Sequence, residues 1–228
     1  MKRKIPEITQ RLMKSIRENA KKGVVRYVVN GIKIDIFPYV FPPESSFSGS
    51  SDIQFNKLTG KTVLDIGTGT GILAIRAALA GAKTIHAVDI FNDAVNCAIH
   101  NIKLNKLYGK IDVYKSDIFS HVPRMKFDII IANLPILNLP QDDIRFHSLF
   151  DPGFEYRRRL FEEGRKYLKK NGRILFSYAD FFGDVISELE QMAESHGYSF
   201  ALKNSAKTLG YEWRVYEFWL SAKGGKND

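Results

Sequence analysis

Val63-Leu64-Asp65-Ile66-Gly67-Thr68-Gly69-Thr70-Gly71 is the stretch on which the fold turns. Residues 63–66 form a short apolar run of strand type. Residues 72–80 read as an alanine-rich helix closed by Gly81. The glycines between them let the backbone turn sharply and approach a ligand closely. Downstream the alternation continues, with a strand at 84–88, a helix at 93–107, and strands at 111–115 and 127–132. A helix at 154–170, stopped by Asn171-Gly172, leads to a strand at 173–178 and a last helix at 184–195. Such alternation predicts parallel strands joined by crossover helices, a doubly wound α/β sheet of Rossmann-like type. Residues 198–203 and 212–221 then follow one another with no helix between them, which predicts a terminal hairpin adding an antiparallel strand at the sheet edge.

Upstream, residues 7–22 read as a polar helix with a thin apolar stripe of Ile8, Leu12 and Ile16. Residues 24–29 and 32–37 flank Asn30-Gly31, a two-residue hairpin turn. Residues 38–51 hold three prolines and five serines and read as a loop. The expected division is an extension over 1–51, on the substrate side, and a ligand-binding core over 52–228.

At 228 residues with 44% hydrophobic and 26% charged residues, the chain has enough apolar material for a full core. No apolar run approaches a membrane span, and the basic Met1-Lys2-Arg3-Lys4 start is not followed by a leader's apolar stretch. The single cysteine, Cys97, excludes an internal disulfide, and a reducing cytoplasm is the expected setting. The net charge of +9 is uneven. Ten of the 34 basic residues but only two of the 25 acids lie in residues 1–33, so the rest of the chain carries about +1. A basic extension on a near-neutral body suits a polyanion such as RNA, or is a solvated helix face.

Spacing and charge narrow the ligand. The dinucleotide pattern G-x-G-x-x-G would place its third glycine at position 72, which is Ile72. Asp65 precedes the glycines, where a carboxylate repels a pyrophosphate but suits a cation. S-adenosylmethionine carries a sulfonium and an ammonium and no phosphate. Asp89 ends the next strand at the spacing of an acid that binds ribose hydroxyls. These features disfavour a nicotinamide-dependent oxidoreductase.

The order D-x-G-x-G-x-G resembles motif I of class I methyltransferases, and the resemblance runs across residues 61–222. Residues 71–78, Val88-Asp89-Ile90 and His100-Asn101-Ile102-Lys103-Leu104-Asn105 look like the ribosomal-protein methyltransferases and the small-methyltransferase group. Ser116-Asp117-Ile118-Phe119 resembles the later acidic motif, whose aspartate accepts from the adenine amino group in that family. The resemblance implies S-adenosylmethionine as cofactor, held by Asp65, Gly67, Thr68, Gly69, Gly71, Asp89, Ile90, Asp117, Ile118 and Asn133. Asp117 on its own also reads as a turn residue after a strand.

The strand at 127–132 ends in Asn133-Leu134-Pro135-Ile136, which resembles the Asn-Pro-Pro-Tyr motif of methyltransferases acting on base amino groups and on release-factor glutamines, and also the Asn-Leu-Pro-Tyr of rRNA adenine dimethylases. An amide or aryl amine is a poor nucleophile. An Asn oxygen and a backbone carbonyl can accept its two N–H groups and hold the nitrogen in line, so positioning does the catalysis. Asn133 and Pro135 are the expected catalytic residues. The sequence departs from the motif at Ile136, where an aromatic residue would stack on a planar acceptor, and at Leu134. Asn133 alone also reads as a turn former, and Asn138-Leu139-Pro140 repeats its tripeptide without evident purpose.

His147, Asp151-Pro152-Gly153 and Arg157-Arg158-Arg159 are weaker candidates: a histidine that could touch substrate or be structural or surface, a helix start, and a solvated or phosphate-meeting run. Cys97 reads as inert packing. No metal-ligand spacing is evident. The expected function is methyl transfer to a nitrogen of RNA or of a ribosomal or translation protein, with no DNA, membrane or metal partner. The competing reading is a cofactor-binding but catalytically silent scaffold subunit.

Overall fold

The computed structural model describes residues 7–43, 53–179, 185–208 and 211–221; most of the serine-rich stretch and the first residue of the expected last helix lie outside them. Seven strands form one sheet: β3 (Thr62–Ile66), β4 (Thr84–Asp89), β5 (Ile111–Lys115), β6 (Phe127–Ala132), β7 (Leu168–Ala179), β8 (Tyr198–Thr208) and β9 (Tyr211–Leu220). Their order is β5-β4-β3-β6-β7-β9-β8. The first five are parallel, and β9 runs antiparallel to both β7 and β8. The reversed strand therefore sits one place in from the edge, and β8 forms the edge.

Successive residues of the central strands enter opposite layers, as the two-residue period requires. Leu64, Ile130 and Phe176 join Phe127, Phe161 and Phe218 on one side of the sheet. Val63, Ile131 and Leu175 face Ile75 of α2 (Ile72–Leu79) and Cys97 of α3 (Asn92–Leu104) on the other. Both faces are covered, which is why β3 reads as a continuous apolar run rather than an alternating one.

Several boundaries differ from the sequence reading: α3 ends at Leu104 and β8 runs on to Thr208, and the largest change lies between α4 and β7. The helix expected over 154–170 is shorter: α4 spans Glu155–Gly164, and β7 begins at Leu168. Asn171-Gly172 does not stop a helix but lies in a bulge of β7, between Leu168 paired with Phe127 and Arg173 paired with Ile129. A Cβ at Gly172 would meet the Phe127 carbonyl oxygen at 2.8 Å, so the bulge needs glycine. The other helices, α1 (Glu7–Lys21) and α5 (Val185–Ser195), lie where the sequence places them.

The hairpin of β1 (Val25–Val29) and β2 (Ile32–Ile36) turns at Asn30 and Gly31, both with positive φ, as Asn-Gly predicts. Ile34 and Ile36 enter the same apolar layer as α2 and α3. Helix α3 also meets β2 as a neighbouring strand would. The Asn101 Oδ1 accepts the Asp35 N–H at 2.8 Å, and its Nδ2 donates to the Asp35 carbonyl at 2.9 Å. One helical turn on, Asn105 accepts from the Lys33 N–H at 3.2 Å and donates to its carbonyl at 2.7 Å. The Asp35 side chain binds Arg26 through two bonds and His100 through a third, which holds its carboxyl down at about 2. Asn101 is fully buried. Asn101→Ala is expected to cost about 1–3 kcal/mol, because buried backbone groups lose their partners. The midpoint of denaturant unfolding checks this, and an unchanged midpoint refutes it.

Candidate functional site

The chain runs outward from β3 through β4 to β5, then returns to β6 on the other side of β3. Ligands of open α/β sheets sit at such a switch point, beyond the carboxyl ends of the strands. Here the loops after β3, β4, β5 and β6 converge on a cavity of about 310 Å³. Gly67, Thr68 and Gly69 form one wall, followed by Asp89 and Ile90, then Asp117 and Ile118. Asn133, Pro135 and Ile136 also line it.

The glycine loop is held from behind. Gly67, Gly69 and Gly71 all have positive φ, and the N–H groups of Gly67 and Thr68 donate to the Val88 carbonyl at 2.9 and 3.0 Å. A Cβ at Gly67 would press on Leu134, and one at Gly71 on Ala98 of α3 at 3.1 Å. Leu134, the departure from the Pro-Pro motif, thus packs against the glycine loop. Asp65 and Gly71 lie behind the cavity wall rather than on it. Asp65 is 1% exposed and accepts from the Thr68 hydroxyl at 2.7 Å. Burial pushes its carboxyl up to about 7, and the negative charge of Asp89 adds to the rise.

Asp89 accepts the Gly69 N–H at 3.0 Å through one oxygen and the Phe91 N–H at 3.1 Å through the other. Burial raises its pKa as well. Two buried carboxylates whose hydrogen-bond donors are all neutral favour a cationic ligand and oppose a pyrophosphate. The third acidic loop is built around Ser116, to which the sequence reading gave no role of its own. Its hydroxyl donates to the Ile118 carbonyl at 3.0 Å and accepts the His121 N–H at 3.0 Å. Ile118 is thereby held at φ 49°, a costly conformation for a β-branched residue. Asp117 is half-buried, and both its carboxylate oxygens accept from Arg159 at 2.9 Å.

At the end of β6, Asn133 is half-buried, and its side-chain amide makes no hydrogen bond among the described residues. The repeated tripeptide does something separate. Asn138 Oδ1 accepts the Gly153 N–H at 2.7 Å and ties this loop to the start of α4. Asp151 is a helix-start residue, accepting from the Tyr156 N–H at 2.8 Å. The far wall comes from residues distant in sequence. Leu12, Tyr39 and Phe41 of the extension contribute, with Ile144, His147 and Trp213. His147 stacks on Phe91, and burial draws its imidazole down to about 4, so it is neutral at physiological pH. Cys97 donates to the Asp35 carbonyl, and burial pushes its thiol up to about 12, in keeping with inert packing. Among the described residues no cluster of His, Cys, Asp or Glu is arranged to hold a metal, and no helix is long and apolar enough to cross a membrane.

The same frame is found in known proteins. A candidate protein N5-glutamine methyltransferase of Methanocaldococcus jannaschii is 36% identical over 84% of this chain and 97% of its own length. The chain belongs to the class I S-adenosylmethionine-dependent methyltransferases. Residues 52–145 of this methyltransferase match the family model of ribosomal protein L11 methyltransferase. The release factor glutamine methyltransferase of Aquifex aeolicus is 29% identical over 82% of this chain and 74% of that one. Among solved structures, the ribosomal protein L11 methylase of Lactobacillus delbrueckii subsp. bulgaricus superposes with a TM-score of 0.54 at 25% identity, covering 72% of each chain. The methyltransferase is thus related to enzymes over most of its length, and the silent-scaffold reading is not favoured.

Proposed function

We propose that this methyltransferase transfers methyl to the side-chain amide nitrogen of a glutamine in a protein of the translation apparatus. The observation that carries the reading is Asn133, which lines the cavity at the end of β6 and whose side-chain amide makes no hydrogen bond among the described residues. Ile136 supports it. An isoleucine gives no stacking face for a purine, whereas the methylenes of a glutamine side chain pack well against aliphatic residues. The match over 84% of this chain to a candidate glutamine methyltransferase points the same way.

In this reading residues 52–228 hold the cofactor and residues 1–51 form the acceptor side. Bound S-adenosylmethionine supplies an electrophilic methyl carbon on a positively charged sulfur. Asp89 would accept from the ribose hydroxyls and Asp117 from the adenine amino group, with Ile90 and Ile118 lining the same cavity. Gly67, Thr68 and Gly69 line the cavity and let the backbone come close, Gly71 lets the loop pack on α3, and Asp65, its carboxyl raised to about 7, lies beneath the loop where a cation would favour its ionised form. Asn133 accepts one N–H of the acceptor amide and a backbone carbonyl of the Leu134-Pro135 turn accepts the other. The nitrogen is thereby aimed at the methyl carbon. The setting in this reading is the cytoplasm, where translation proteins are made.

A second reading, methylation of RNA, is favoured by α1. Leu12 and Ile16 pack against Leu137, Leu139 and Phe146 beside the cavity. Arg11, Lys14, Arg17, Lys21 and Lys22 are left exposed. One experiment separates the two. The enzyme is incubated with labelled S-adenosylmethionine and cell extract, which is then split into RNA, protein and small-molecule fractions. Label in protein, released as methylated glutamine on digestion, is the expected result. Label in RNA alone overturns it. RNA affinity should then fall steeply with salt, and neutralising Lys14, Arg17, Lys21 and Lys22 should flatten the slope by up to about 3.

A further inference from the structure

The arginine run 157–159 is divided by the fold among three surroundings. Arg158 pairs with Glu155 and Glu162 at the surface. Arg159 holds Asp117. Arg157 is 1% exposed, and its partner Asp151 is fully buried. The Arg157 Nε donates to Asp151 Oδ2 at 3.2 Å. Its Nη2 donates to the Ile136 carbonyl at 3.0 Å and to the Pro135 carbonyl at 3.4 Å. The guanidinium lies over the Phe154 ring, 4.0 Å from its centroid, and 4.9 Å from that of Tyr178. Asp151 is fixed in turn, because its N–H donates to the Leu137 carbonyl at 2.8 Å.

A buried ion pair is a poor source of stability, since desolvation offsets its attraction. What this pair does supply is a fixed place for two carbonyls that immediately follow Asn133-Leu134. We propose that Arg157 is a positioning residue for methyl transfer: it pins the Pro135 and Ile136 carbonyls so that the turn carrying Asn133 cannot shift. The proposal rests on the reading of Asn133 as the residue that holds the acceptor nitrogen. Lysine keeps the charge beside Asp151 but lacks the planar fork that reaches two carbonyls as well.

The test is a double-mutant cycle of Arg157→Lys and Asn133→Ala. Initial rates are measured with labelled S-adenosylmethionine and a fixed extract protein fraction. Arg157→Lys is expected to lower kcat about 10- to 100-fold, the scale of a small misplacement, with KM for the protein fraction and affinity for S-adenosylhomocysteine by calorimetry both within about twofold. The double variant is expected to be no slower than Asn133→Ala alone. Additive losses, or a loss that vanishes when the assay is run well below the melting temperature, overturn the proposal. Normal turnover in Asn133→Ala alone instead overturns the reading of Asn133 itself. If Arg157→Lys does not fold, Asp151→Asn with Arg157→Gln, which buries no lone charge, carries the same cycle.

Discussion

Replacing Asn133 by alanine is expected to reduce turnover about 100- to 1,000-fold while changing affinity for S-adenosylhomocysteine by no more than about twofold, as for removal of one preorganised hydrogen-bonding group. The size of the effect follows from the chemistry. An amide nitrogen shares its lone pair with the carbonyl, so its reactivity depends on being held in line and on having its N–H groups accepted as charge develops. In the proposed reading Asn133 is suited to this because its side-chain amide makes no hydrogen bond among the described residues, while its neighbours are fixed. Leu134 packs on Gly67, and Pro135 and Ile136 are bonded through their carbonyls. Asn133→Asp is the companion variant, since it keeps an acceptor oxygen and the size of the side chain. Kinetics on both, with calorimetry on the same preparations, decide the matter. Normal turnover in the alanine variant assigns Asn133 to the turn alone.

Asp89→Ala is expected to weaken S-adenosylhomocysteine binding by about 1.5–3 kcal/mol, or roughly 10- to 150-fold, the usual worth of a hydrogen bond to a charged group. The carboxylate also holds the Gly69 and Phe91 N–H groups, so its loss loosens the loop at the same time. Asp89→Asn separates the contributions. It retains an acceptor but removes the charge, so the cationic S-adenosylmethionine should lose more affinity than the neutral-sulfur product. Calorimetric titration with both ligands reads the difference. Unchanged affinity in Asp89→Ala removes Asp89 from the ribose site.

The order of elements was legible because it is written in short-range pattern. The β5 and β6 bounds of Ile111–Lys115 and Phe127–Ala132 follow from local pattern, and the Asn30-Gly31 turn from two residues. The family was legible from the spacing of Asp65, the glycines and Asp89. What the pattern concealed depends on partners far along the chain. The Asn171-Gly172 bulge is shaped by Phe127, more than 40 residues earlier. The arginine run carries no mark that one member is buried and two are not, because the Pro135 and Ile136 carbonyls that draw Arg157 inward lie about 20 residues upstream. Tyr39 and Phe41 reach the cavity because the extension folds back over it, which their local sequence does not record.

The seat of the hairpin on α3 has a consequence for how such enzymes change. Asn101 and Asn105 grip the main chain of Asp35 and Lys33, which every residue but proline would offer equally. Position is therefore separated from identity. Strand β2 can exchange outward-facing residues such as Lys33 without losing its berth, provided the backbone stays extended. The same Asn101 Nδ2 donates to the Thr70 carbonyl in the glycine loop at 2.9 Å, so whatever sequence occupies the berth is registered against the methyl donor's side of the cleft. If residues 1–51 form the acceptor side, as proposed, a change of side chains in β2 leaves the hairpin in register with the glycine loop, because Asn101 holds both main chains at once.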